Sequence, residues 1–203
     1  MINCMSKEHH RHSVRLPGVD YSVPGHYFVT ICVKNRSCLF GEIKDGSLSL
    51  NKLGEIARQC WENIPNHYQN VVMDEFIVMP NHVHGILQII DADNLGVQNI
   101  EPLRQTITKN CGVGAQYFVP HLVGRNKYQH IIPGSVGSII RGYKIGVTKW
   151  WRNNGYVGEL WQKNYYEHII RNDKSLNNIR RYIKDNVLNW AADEENPLTC
   201  LKR

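Results

Sequence analysis

Two histidines stand one residue apart in the apolar run MPNHVHGIL, residues 79–87: His82 and His84, flanking Val83. In a strand, residues i and i+2 share a face, so both imidazoles project together while Val83 turns away. Two imidazoles on one rigid edge are two-thirds of a facial metal site. The alternative is one core histidine with a backbone partner and one incidental neighbour. Pro80-Asn81 places the pair at the start of a strand, where a cleft is favoured over deep core. Downstream, Tyr182 and Asn186 lie four residues apart, beside an apolar stripe of Leu176, Ile179, Ile183, Val187 and Trp190 at helical spacing. A tyrosine at the edge of such a stripe can simply pack, its hydroxyl reaching water. It can also be a nucleophile, with Asn186 one turn later aiming a carbonyl oxygen at a cation. A phenol with an ordinary pKa of about 10 is a weak nucleophile. A divalent cation that polarises the phosphate under attack supplies the help it lacks.

The elements that must position these residues follow from the pattern. HYFVTICV, 26–33, alternates and reads as a strand; Asp45-Gly46 marks a short hairpin. Residues 51–64 carry Leu53, Ile56, Cys60 and Ile64 at helical spacing, with Pro65 as the stop. VVMDEFIVM (71–79) and HVHGILQII (82–90) read as antiparallel neighbours joined by a tight turn. Residues 91–135, rich in Asn, Gly, Gln and Pro, form an inserted loop. A helix over 135–154 follows, its stripe being Ile139, Ile140, Tyr143, Val147 and Trp150. LWQKNYYEHII, 160–170, reads as the fourth strand, and a last helix runs from an N-cap at Asn172 or Asp173 to Trp190. Without the hairpin and the insertion the first six elements are βαββαβ, so the fold class is α+β. The expected core is ferredoxin-like: a four-stranded antiparallel sheet with helices on one face, plus a C-terminal helix carrying the tyrosine. The expected layout is a basic lead-in (1–25), one domain (26–190) and a tail (191–203).

MPNHVHGIL together with LWQKNYYEHIIRNDKSLNNIRRYIKDN resembles the REP-associated tyrosine transposases, members of the HUH single-strand DNA endonucleases of single-tyrosine type. RHSVRLPGVDYSVPGHYFVTICVKNRSCLFGEI and GSIIRGYKIGVTKWWR are similar to family members too. The resemblance covers nearly the whole chain except the insertion. H-x-H alone is weak; H-x-H after M-P-N, then W-Q-x-x-Y-Y-E-H-I-I-R, then Y-I-x-x-N, in that order, is specific. It implies that His82, His84 and Asn186 coordinate Mg²⁺ or Mn²⁺ and that Tyr182 attacks single-stranded or hairpin DNA. The products would be a 5′-phosphotyrosine and a free 3′-OH, which allows strand transfer in the mobilisation of palindromic elements. Relatives work as monomers or homodimers, so the tyrosine could meet its own His pair or a partner's. Val187 stands where the family has proline, and it is expected to keep the helix running. His168 and Glu167 alternate faces, so only one can look into the cleft.

The chain has 203 residues, 42% of them hydrophobic, enough for one domain with a sizeable core. Its formal charge of +6 favours an anionic partner. Arg11, Arg15, Arg141, Lys144, Lys149 and Arg152 are candidates for phosphates, and Trp151 for base stacking. No cysteines pair as C-x-x-C, no apolar leader opens the chain and no window reaches membrane-span length, so no membrane association is expected and the expected compartment is the cytoplasm. Two rival readings remain. One is a domesticated, non-catalytic nucleic-acid binder on the same fold. The other is a small-ligand or metal-sensing domain using the two histidines alone, which leaves Tyr182 and Asn186 without a role.

Overall fold

Alternation gives β1 (Gly25–Cys32) two different faces. Tyr27, Val29 and Ile31 enter the main core, whereas Phe28 joins a separate cluster on the other side. The computed structural model that shows this describes residues 22–91, 132–193 and 195–197. Arg11, Arg15 and most of the 91–135 insertion lie outside the described residues.

The sheet contains β1, β4 (Val71–Val78), β5 (His82–Ile89) and β6 (Tyr166–Ile170), in the spatial order β4-β5-β1-β6, and each neighbouring pair is antiparallel. Both the sheet and the element order fit the expected α+β ferredoxin-like core. The Asp45-Gly46 turn joins β2 (Gly41–Lys44) to β3 (Ser47–Leu50), and both turn residues have positive φ, 50° and 71°.

One face of the sheet is covered by α1 (Lys52–Glu62) and α3 (Val136–Asn153). Each helix starts on a side-chain cap: Asn51 accepts from the Gly54 N–H, and Ser135 from the Ser138 N–H. The short α2 (Ile64–His67), with Pro65 in its first turn, ends this layer before β4. Trp61, fully buried, lies so close to Gly85 of β5 that a Cβ there would sit 2.1 Å from the Trp61 ring. Only glycine lets the indole reach the sheet.

The opposite face carries α4 (Asp173–Asp185), capped by Asn172. Leu176 and Ile183 of α4 pack on Phe28, Ile86 and Ile170, with Ile179 beside them. Truncating a side chain buried like Ile183 to alanine costs about 2–5 kcal/mol. At the other side of the helix Arg180 clamps Asp74 through Nε (2.9 Å) and Nη2 (2.6 Å), and Lys184 reaches Glu75 at 2.8 Å. The two acids sit where the β4–β5 register shifts between Met73 and Phe76. That irregularity turns them toward α4 and fastens the helix over the sheet.

Two boundaries differ from expectation. The strand read over 160–170 is confined to Tyr166–Ile170, with Trp161 making one isolated bridge to Val33. Lys144 takes the carbonyls of Gln162 (2.8 Å) and Asn164 (3.0 Å), which removes them from any ladder. The last helix ends at Asp185, with Asn186 as its C-cap, although Val187 replaces the family proline. Beyond it the chain tightens, Trp190 N–H bonding Val187 O at 3.3 Å, and enters a 3₁₀ turn over Trp190–Ala192.

Candidate active site

The register of β5 against β1 sets Cys32 opposite His82 and Thr30 opposite His84. Both imidazoles therefore lie on the α4 face, 4.4 Å apart between ring centroids, with Val83 in the core on the other side. The same register lets Thr30 Oγ1 meet His84 Nδ1 at 2.9 Å. His82 Nδ1 lies 2.8 Å from Asn81 Oδ1. The Asn81 amide nitrogen donates to the carbonyls of Arg36 (3.0 Å) and Glu195 (2.6 Å), so its oxygen is free to accept. His82 must then carry its proton on Nδ1, which leaves the Nε2 lone pair facing inward. That Nε2 is buried and has no hydrogen-bond partner.

His84 follows the same pattern. With its proton on Nδ1 donated to Thr30, Nε2 accepts the Tyr182 hydroxyl at 3.1 Å. Phe28 supports both rings, stacked on His84 at 5.4 Å and edge-on to Tyr182 at 6.1 Å. Burial holds both histidines far below the usual imidazole range; His84 is lowered to about 3, and the His84 charge and Arg36 also disfavour protonation of His82. Both rings are thus neutral at neutral pH, the form in which imidazole binds a cation.

Asn186 is 1% exposed, one turn beyond Tyr182, and its side-chain oxygen is buried without a hydrogen-bond partner. Asp193 completes the cluster: ligand atoms of His82, His84 and Asp193 all lie within 4.8 Å of one another. Asp193 belongs to the segment expected to be a tail. The described residues at its start lie against the site: Glu195 and Asn196 are buried, Glu195 pairs with Arg36 at 3.0 Å, and the ring of Trp190, just before it, is 6.1 Å from His82. Two imidazoles and a carboxylate fit a divalent cation, and two inward-facing orphan acceptors, His82 Nε2 and Asn186 Oδ1, are what such an ion would satisfy.

Neither Asp193 nor Asn81 is marked as a site residue by the sequence pattern. In the sequence Asn81 reads as a turn residue, though it directly precedes the histidine it orients. Asp193 lies beyond the helical stripe that ends at Trp190, and nothing in its spacing marks it. Arg141, Lys149 and Arg152 line a groove with Lys144, but Lys144 is tied to two carbonyls and its pKa is lowered to about 8 by burial. Trp151 stacks on Tyr156 at 4.3 Å, so its ring is engaged within the chain. His168 lies on the His-pair side of β6 and is exposed, whereas Glu167 is buried on the other.

No protein-family model matches the chain. An uncharacterised protein of Haemophilus influenzae is 41% identical over 186 residues, spanning 92% of this chain and 93% of its own. A second protein of that organism, named "Putative REP-associated tyrosine transposase", is 24% identical over 164 residues, covering 81% of this chain and 70% of its own. Among solved structures, a REP-associated tyrosine transposase bound to a REP hairpin is similar with a TM-score of 0.48 and 17% identity, over 84% of this chain and 71% of that one. Among the described residues, no helix is long and apolar enough to cross a membrane.

Proposed function

Because the chain belongs to one family with its 41%-identical Haemophilus relative and is related to the REP-associated tyrosine transposases, we propose that it is a metal-dependent transposase that nicks and rejoins DNA through Tyr182. The observation that carries this reading is the Tyr182 hydroxyl held 3.1 Å from His84 Nε2, at the rim of the His82–His84–Asp193 cluster. A general core-histidine pair has no need of a half-exposed phenol on one ring and a carboxylate within ligand distance.

In the proposed reaction the Tyr182 oxygen attacks a phosphodiester phosphorus. The P–O3′ bond breaks, the phosphate stays on Tyr182 as a 5′-phosphotyrosine, and the departing 3′ oxygen takes up a proton in balance with the one the phenol loses. A 3′-OH attacking the phosphotyrosine reverses the step and joins strands, with no outside energy source. His82, His84, Asp193 and Asn186 would hold a divalent cation, which supplies Lewis-acid polarisation of the phosphate. Phe28 and the α4 clamp, Arg180–Asp74, keep the phenol in place. Two imidazoles with one carboxylate suit Mn²⁺ at least as well as Mg²⁺. The substrate class is single-stranded DNA next to a hairpin.

The test is a single-stranded hairpin oligonucleotide incubated with Mn²⁺ and resolved under denaturing conditions. A label on the 3′ side of the nick should travel with the protein, and a 5′ label should be released on a shorter strand. Tyr182→Phe should give no adduct. An adduct of equal yield in Tyr182→Phe, or one that keeps the 5′ label, would overturn the assignment.

A further inference from the structure

Both ring nitrogens of His84 are engaged. Nδ1 lies 2.9 Å from Thr30 Oγ1, in a buried contact fixed by the register of β1 on β5. Nε2 lies 3.1 Å from the Tyr182 hydroxyl, with the ring centroids 5.2 Å apart. His82 differs. Its Nδ1 is bonded to Asn81, whereas its Nε2 is buried with no hydrogen-bond partner. Asn186 Oδ1 is buried and unbonded in the same way. The candidate cation site therefore has one histidine open and the other capped by the proposed nucleophile.

An imidazole that holds a cation gives it a ring lone pair. Thr30 and His84 are both buried, so Nδ1 stays against β1 and Nε2 is the nitrogen that can ligate. A nitrogen–zinc bond is about 2.1 Å long and follows the lone pair. The hydrogen bond to Tyr182 runs from that same nitrogen over 3.1 Å, so the phenol oxygen and a cation cannot both be served by Nε2. Either tautomer gives this result. With the proton on Nε2 the lone pair is absent until that proton and Tyr182 give way. Phe28 contacts both rings and holds them together, stacked on one and edge-on to the other. Tyr182 is 46% exposed, so its hydroxyl can turn from His84 to solvent while Arg180 and Asp74 keep α4 on the sheet.

We propose that the Tyr182 hydroxyl is a latch on His84: it competes with the divalent cation for Nε2, so that filling the site and releasing the phenol are one event. The competition itself needs only the histidine and the phenol; its use in DNA nicking rests on the function proposed above. In that use the phenol leaves His84 only when the group that polarises the phosphate is held, which arms both halves of the site together. The latch also lowers the apparent cation affinity, in proportion to the fraction of His84 that is uncapped.

The test is titration calorimetry of the chelator-treated protein with Mn²⁺, in the absence of DNA. No DNA chemistry contributes, so this result and the adduct assay for Tyr182 are read separately. Tyr182→Phe keeps the ring against Phe28 and removes only the hydroxyl. It should bind Mn²⁺ about two- to tenfold more tightly than wild type, the net worth of one hydrogen bond. Tyr156→Phe, whose ring stacks on Trp151, should match wild type. The gain must also need His84: adding Tyr182→Phe to His84→Ala should leave the affinity where His84→Ala alone puts it. Unchanged affinity in Tyr182→Phe would overturn the proposal, and so would a gain that persists without His84. Weaker binding in Tyr182→Phe would overturn it too, since the phenol would then be a ligand and not a competitor.

Discussion

Tyr182 and His84 meet within one chain, hydroxyl to Nε2 at 3.1 Å, although 98 residues separate them. The helix that brings the tyrosine packs on the sheet face that its own histidines occupy. The proposed nucleophile and cation ligands therefore come from the same molecule. Mixing Tyr182→Phe with His84→Ala should leave adduct formation absent, because each variant lacks one half of its own site. Recovery on mixing, measured on denaturing gels, would mean that the tyrosine serves a partner chain.

Asn81 fixes the His82 tautomer while tying it to the Lys34–Arg36 turn that follows β1 and to the C-terminal segment. Replacing it with alanine frees the ring and should weaken Mn²⁺ binding by about 10- to 100-fold, the usual cost of losing an outer-shell partner. Titration calorimetry on the folded variant measures this. Unchanged affinity would assign Asn81 to the turn alone.

Asp193→Asn removes the charge of the cluster while keeping its shape. Cation affinity should fall further than in Asn186→Ala, because a carboxylate attracts a divalent ion more strongly than an amide oxygen does. Equal losses, or a loss only in Asn186→Ala, would show that the carboxylate is not a ligand.

The buried histidines predict a stability profile for the chelator-treated protein. An unfolded histidine titrates near about 6.5, whereas folded His84 stays neutral down to about 3, and His82 is shifted the same way. Between those limits the unfolded chain binds protons that the folded one refuses, so stability is full above about 6.5 and falls as pH drops toward 3. The decline approaches about 1.4 kcal/mol per pH unit for each histidine. Urea midpoints at pH 7 and pH 5 should differ accordingly, and a flat profile would mean that the rings protonate in the folded state.

Gly85→Ala drives a methyl group into the Trp61 ring, which is fully buried and can move only with its neighbours. A loss of about 1–3 kcal/mol is expected from overpacking. A stability within error of wild type, by chemical denaturation, would show that the indole relocates freely.

The local signals in this chain are strong where short-range physics decides. Alternation in 26–33 and 82–90 determines which side chains share a face, so His82 and His84 project together in any fold that makes 82–89 a strand. Four-residue spacing sets Asn186 one turn beyond Tyr182 for the same kind of reason. Caps at Asn51, Ser135 and Asn172 are equally local. Two local inferences fail at element ends. The Leu160–Tyr165 run has strand composition, yet its carbonyls are taken by Lys144 from a helix ahead of it in the chain. Valine at 187 permits a longer helix, but the segment turns at Asn186 to bring Asp193 and Glu195 back over the histidines.

Which face of the sheet α4 covers is not a property of its own sequence, since its apolar stripe would suit either face. The tertiary structure decides it: α1 and α3 already fill the side of Val29 and Ile31, leaving Phe28, Ile86 and Ile170 to be covered. Asp193 becomes a candidate ligand only through that packing, because a carboxylate in a polar segment has no periodicity to betray it. The sequence alone determined the chemistry available, two imidazoles, a phenol and an amide at strand and helix spacing. Long-range burial decided that they meet in one chain, with a carboxylate beside them and the basic groove on the far side of the sheet.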